Sequence, residues 1–162
     1  MDQHDPGHHG SSPTTPSPAD LDRLARQATT HCLTGCAIGE VLGMVIAGLT
    51  GLAAGPAVAL SVALAFVFGY GLTMRPLLAG GTGLRAALGL ALAADTISIT
   101  VMEVVDNGII LVVPGAMDAG IDSLLFWGAL AIGFAVAWLV TYPINRWLIA
   151  RGRGHAVLHG AH

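Results

Sequence analysis

The chain has 162 residues, of which 54% are hydrophobic and only 10% are charged, and its mean hydropathy is +0.70. Soluble domains carry roughly 25% charged residues, so this composition excludes an ordinary soluble domain. The length is that of a single domain. With only seven basic residues and a net charge of −3, we expect no nucleic-acid partner.

The first thirty residues differ in composition from the rest and fall into two parts. Residues 1–18 are rich in Pro, Ser, Thr, Gly and His, which predicts disorder. They lack the basic start and apolar core of a secretory signal peptide. Residues 19–30 (ADLDRLARQATT) predict a short amphipathic helix at the membrane surface, with an apolar stripe that contains Leu21, Leu24 and Ala28.

Four apolar stretches are each long enough to cross a bilayer, which needs about 20 residues. Glycine and proline separate them, and the second and fourth are apolar all round, which excludes a soluble bundle. The sequence therefore predicts an all-α polytopic membrane protein with a four-helix domain over residues 31–150 and a His-rich tail over residues 151–162. The predicted spans are 32–54, 57–78, 86–113 and 124–148.

The basic residues predict how the chain is oriented. All seven are arginines, and they lie before the first span, around the second connection and at the end of the fourth span. Because positive charge favours the cytoplasmic side, both termini are predicted to be cytoplasmic, in a bacterial inner membrane. These residues are Arg23, Arg26, Arg75, Arg85, Arg146, Arg151 and Arg153.

The first span combines two patterns at four-residue spacing. Cys32, Cys36 and Glu40 share one helix face. Three glycines on or beside that face allow another helix to approach closely, which predicts a homo-oligomer through the first helix. The glycines are Gly35, Gly39 and Gly43.

The third span carries acids that are rare inside a membrane, where each costs on the order of 2.5–3.5 kcal/mol. Asp95, Met102 and Asp106 form a stripe, with Ser98 and Glu103 at its edges. From its distance to the predicted helix start, Asp95 is expected at the depth of Glu40, near the bilayer middle. The predicted path for an ion or proton consists of Glu40, Asp95, Glu103 and Asp106, and its supporting polar residues are Ser98, Met102, Tyr142 and Asn145.

The side chains that suit a soft metal all lie on the predicted cytoplasmic side. Imidazole and thiolate are ligands for zinc, copper and haem iron. An alternative is that the tail histidines are merely solvated and the cysteines are small buried hydrophobes. The predicted metal ligands are His31, Cys32, Cys36, His155 and His159.

The segments HCLTGCAIGE, ADTISITVMEVVDN and PINRWLIARGRGHAVLH resemble a bacterial membrane family described as domain of unknown function 4396. The resemblance extends over roughly residues 31–159 and implies a four-helix membrane domain. It implies nothing about activity, substrate or cofactor, so a function has to be argued from the residues.

Three classes of function are compatible with these residues. We expect a metal-handling membrane protein that binds or transports copper or zinc, collected by thiols and imidazoles at a cytoplasmic mouth and passed, with or without a coupled proton, along the acids. An alternative is a structural or haem-binding subunit of a larger complex, in which the acids make interhelical hydrogen bonds. An enzyme is not expected, because no known catalytic spacing is present.

Overall fold

A computed structural model describes residues 17–116 and 119–151, which form four helices. Each helix is long and apolar enough to cross a membrane, so the prediction of four transmembrane helices is confirmed. The predicted disordered segment, except its last two residues, and the tail ligands His155 and His159 lie outside the described residues. The helices are α1 (Pro18–Thr50), α2 (Ala54–Ala79), α3 (Leu84–Val112) and α4 (Leu124–Ala150).

The predicted amphipathic segment and the first span form one continuous helix of 33 residues, about 50 Å long. It begins at Pro18, where the side chain of Ser17 accepts a hydrogen bond from the backbone N–H of Asp20. The apolar stripe of this segment packs against Ile149 and Tyr142 of α4. Its placement at a membrane surface stays a prediction.

The helices run alternately up and down around a ring. Both α1 and α3 pack against α2 and α4, while α1 and α3 contact each other across the centre. We call the end that holds the start of α1 and the end of α4 the termini end, and the other the far end. Many large apolar side chains on the outer surface are exposed, such as Val104 at 68% and Leu124 at 90%, as contact with a lipid bilayer requires.

Small residues hold α1 against α2. A Cβ atom added to Gly35 would lie 2.6 Å from the Cα of Gly69, so only glycine permits this approach. Gly39 and Gly43 face the next two small residues of α2, Ala65 and Ser61, in the same way. The predicted glycine face is therefore covered within one chain, and a homo-oligomer would have to use another surface.

Candidate functional site

The acids singled out from the sequence all lie in the interior of the bundle. Glu40 of α1 and Asp95, Glu103 and Asp106 of α3 have exposed fractions between 0% and 5%. They meet there because α1 and α3 face each other across the centre of the ring. No arginine of the described residues forms an ion pair with Glu40, Glu103 or Asp106.

Three of these acids form one group, which we call the carboxyl cluster: Glu40, Glu103 and Asp106. Both Glu103 and Asp106 lie close enough to Glu40 to interact with its carboxyl group. Even so, both oxygens of Glu103, both of Asp106 and Oε2 of Glu40 are buried without a hydrogen-bond partner among the described residues. Three unpaired carboxylates in an apolar interior would be very costly, so the cluster requires protons or a bound cation.

A glycine of α4 makes room for one member of the cluster. Oδ1 of Asp106 lies where a Cβ atom on Gly133 would be. Any other residue at this position would push the carboxyl group away from α4. The narrow fit fixes Asp106 between α4 and Glu40.

The fourth acid lies apart from the cluster, next to a thiol. The Sγ atom of Cys32 is 3.6 Å from Oδ1 of Asp95, and both side chains are buried. The prediction that Asp95 and Glu40 lie at the same depth is therefore wrong. The prediction measured Glu40 from His31 and Asp95 from Arg85, but these two positions do not lie at the same level. Cys32 meets Asp95, and Glu40 lies roughly two turns, about 12 Å, further toward the far end.

The predicted soft-metal ligands face different partners. Cys36 lies beside Glu103, and His31 bonds to the hydroxyl of Thr73 at 3.1 Å. Cys32 and Cys36 are 2% and 1% exposed, so they lie in the packed interior and not at an open mouth. Over residues 17–116 and 119–151, no group of three or more His, Cys, Asp or Glu side chains is placed to hold a metal ion.

A set of hydrogen bonds joins three helices at the level of Cys32 and Asp95. Ser98 of α3 donates to Oδ1 of Asn145, and Nδ2 of Asn145 donates to the hydroxyl of Thr29 at 2.9 Å. Thr29 in turn donates to the carbonyl of Ala25 at 2.7 Å. We call Thr29, Ser98 and Asn145 the polar layer; all three are buried.

The sequence pointed to two of these residues and missed the third. Ser98 and Asn145 were predicted as supporting polar residues, and the structure brings them together. Thr29 was missed because it was assigned to the surface helix; the signal that could have found it is its place one turn before Cys32 and His31.

The other two predicted supporting residues have packing and surface contacts. Met102 is 1% exposed and packs against Ile99 and Ala137 in the apolar core. Tyr142 stacks on Trp138 with ring centroids 5.3 Å apart and donates to Asp22 at 3.2 Å. Neither side chain is part of the carboxyl cluster.

A partly open cavity lies at the far end and reaches the carboxyl cluster. Its volume is about 60 Å³, and its wall is formed mainly by aliphatic side chains from all four helices. The polar side chains on the wall are Glu40, Ser61 and Asn107. This far-end cavity has room for several water molecules or a small ion, but it is well below the roughly 300–1,000 Å³ of sites for larger organic ligands.

Comparison with known proteins gives one match. The model of a family described as domain of unknown function DUF4396 matches residues 23–154. The search of curated proteins and the search of solved structures found no match.

Proposed function

We propose that this chain, which belongs to the DUF4396 family, moves a small cation through the membrane along its buried acids. The carboxyl cluster carries this proposal. Glu40, Glu103 and Asp106 are buried, lie within interaction range and have carboxyl oxygens without hydrogen-bond partners in the described part of the chain. Buried acids of this kind mark ion and proton pathways in membrane proteins.

The arrangement of the acids suits the exchange of protons in particular. Glu40 lines the far-end cavity and neighbours both other members of the cluster, so a proton taken up from water in the cavity has an acceptor there. Asp95 lies further toward the termini end, beside Cys32. Protonated carboxyl groups also remove the cost of the unpaired charges, and a released proton leaves a site that attracts a cation.

A second candidate cargo, copper or zinc as the sequence suggested, is favoured by the pairing of each thiol with an acid. Cys32 lies beside Asp95, and Cys36 lies beside Glu103. Two ligands fall short of the three or four protein ligands that zinc sites use, so these pairs do not make a complete metal site by themselves. Elemental analysis of the purified protein tests this candidate. Bound metal that disappears in the Cys32→Ser/Cys36→Ser variant supports it, and a metal-free preparation rejects it.

Proteoliposomes test the proposal itself. With a pH-sensitive dye inside and an imposed potassium diffusion potential, the wild-type protein should acidify or alkalinise the lumen at a rate that follows the potential. Glu40→Gln and Glu103→Gln keep the shape of the side chain but remove the titrating group, so each should reduce the rate to that of protein-free liposomes. Asp20→Asn is the matched control, because Asp20 is exposed and its partners among the described residues are Ser17 and Arg23. A rate that is unchanged in both Glu variants rejects the proposal.

The proposal also includes an orientation in the membrane and self-association of the protein. We place the protein in a cytoplasmic membrane with both termini inside, as the arginine distribution predicts. We also propose self-association through surfaces other than the glycine face, because α2 covers that face.

A further inference from the structure

Three side chains on the wall of the far-end cavity offer hydrogen-bond acceptors. The hydroxyl of Ser61 donates to the backbone carbonyl of Glu40 at 3.4 Å, and its oxygen can still accept. The amide nitrogen of Asn107 donates one of its two N–H groups to the carbonyl of Glu103 at 2.9 Å, which leaves the amide oxygen as an acceptor and one N–H as a donor. Oε2 of Glu40 has no partner.

These side chains suit a cation that has hydrogen-bond donors of its own. Glu40 is the one ionisable side chain among the described residues that line the cavity, and it is 4% exposed. A buried acid with an unpartnered oxygen beside a cavity is matched by a positive charge. None of the described lining residues is basic, so none of them supplies that charge.

The apolar side chains on the cavity wall favour some kinds of cation over others. A divalent metal ion needs six or more oxygen ligands from protein and water, and aliphatic side chains cannot hold the water that would complete its shell. An ammonium group needs only a few acceptors, and methyl groups bound to it fit against aliphatic side chains and the ring of Phe126. The small volume limits the cation to ammonium itself or a short alkylammonium.

We propose that the far-end cavity binds ammonium or a short alkylammonium ion, with Glu40 as its counter-ion and Ser61 and Asn107 as acceptors for its N–H groups. This inference rests on the proposed function and names its cargo. The cation enters from the far end and displaces a proton from the carboxyl cluster. The cavity then favours cations that carry N–H donors and are small enough to fit.

Equilibrium binding of methylammonium chloride to the full-length protein in lipid nanodiscs tests the inference, with sodium chloride at the same ionic strength as reference. A ligand that binds the folded state raises the unfolding temperature, which tryptophan fluorescence reports. Methylammonium should raise it in a concentration-dependent manner. Tetramethylammonium, which has the same charge but no N–H donor and a larger volume, should not.

Variants locate the binding site. Glu40→Gln and Asn107→Leu should each weaken methylammonium binding by about tenfold or more, the effect of losing a hydrogen bond to a charged group. Asp20→Asn should bind like the wild type. The inference is overturned if methylammonium gives no shift, if tetramethylammonium gives the same shift, or if both cavity variants bind as the wild type does. A Glu40-dependent shift with magnesium or zinc chloride and none with methylammonium overturns it too.

The binding experiment and the flux experiment can fail independently, so an error in the cargo can be distinguished from an error in the transport function. Glu40-dependent proton flux without methylammonium binding rejects the cargo and keeps the cation pathway. Methylammonium binding without any flux of protons or methylammonium rejects the transport function and leaves the cavity as a binding site.

Discussion

Cys32 and Asp95, 63 positions apart in the chain, meet in the interior of the bundle with Sγ and Oδ1 3.6 Å apart. The polar layer of Thr29, Ser98 and Asn145 surrounds this pair at the same level of the bundle. The cavity, in contrast, reaches Glu40 from the far end. Cys32 and Asp95 are 2% and 0% exposed, so among the described residues this pair is closed off, while Glu40 borders a partly open cavity.

The two native thiols report on this closure. In the folded wild-type protein, we expect a membrane-impermeant maleimide to label neither Cys32 nor Cys36, because they are 2% and 1% exposed. Asn145→Ala removes the bridge between Ser98 and Thr29, so labelling of Cys32 from the termini end should begin. Mass spectrometry of the labelled peptides measures both rates.

Thr34→Ala is the control for the labelling experiment, since Thr34 is exposed and its hydroxyl donates to the carbonyl of Thr30 in the same helix. Its thiols should stay unlabelled. Equal labelling in the wild type and in Asn145→Ala would show that the polar layer does not close the path.

The glycines of α1 should differ sharply in their tolerance of alanine. A Cβ atom at Gly39 would overlap the backbone of α2 at Ala65, whereas nothing lies within 4 Å of a Cβ atom at Gly48. Gly39→Ala should therefore destabilise the protein by about 1–3 kcal/mol, the usual cost of overpacking. Gly48→Ala should be neutral or slightly stabilising. Thermal unfolding in detergent, followed by tryptophan fluorescence, compares the two; equal unfolding temperatures would contradict the close α1–α2 packing.

Neighbouring residues near the end of α4 should contribute unequally to stability. The Arg146–Asp22 ion pair has a 2.6 Å separation, but its side chains are 44% and 41% exposed, so Arg146→Gln should lower the free energy of unfolding less than Asn145→Ala does. Asn145→Ala removes two buried hydrogen bonds, one accepted from Ser98 and one donated to Thr29, and should cost about 1–3 kcal/mol. Urea titration of the protein in mixed micelles measures the difference. A larger loss of stability in Arg146→Gln than in Asn145→Ala would contradict this prediction.

The orientation predicted from the arginines can be checked directly. Reporter domains that are active only outside the cytoplasm should be inactive when fused after Arg151 and active when inserted next to Asp122. The physical reason is that the α3–α4 connection carries no basic residue, while all seven arginines lie at the other end of the predicted bundle. Activity of the fusion after Arg151 would invert the predicted topology.

The helices could be predicted because bilayer thickness and the breaking of helices by glycine and proline act locally along the sequence. The predicted third span, 86–113, and the observed α3, Leu84–Val112, differ by two residues at most at either end. Burial of Glu40, Glu103 and Asp106 followed in the same way from the cost of a charge in lipid.

The pairing of residues across the bundle could not be predicted, because it depends on how far α1 and α3 slide past each other. Taking His31 as the start of the first span assigned Glu40 to Asp95, but the helix begins at Pro18 and Glu40 meets Glu103 and Asp106. Sequence spacing also cannot tell whether a small-residue face contacts a second chain or a neighbouring helix of the same chain. Here it contacts α2, which carries small residues at the matching spacing.

The length of α1 has a mechanical consequence. At about 50 Å it exceeds the hydrocarbon core of roughly 30 Å by some 20 Å, and it contains no proline after Pro18 and no break before Gly51. It is thus a stiff rod with Asp20 in its first turn and Glu40 about two thirds of the way along it. A partner protein that displaces the first turns of α1 would tilt the whole helix. Because α1 has no hinge, the same displacement would move Glu40.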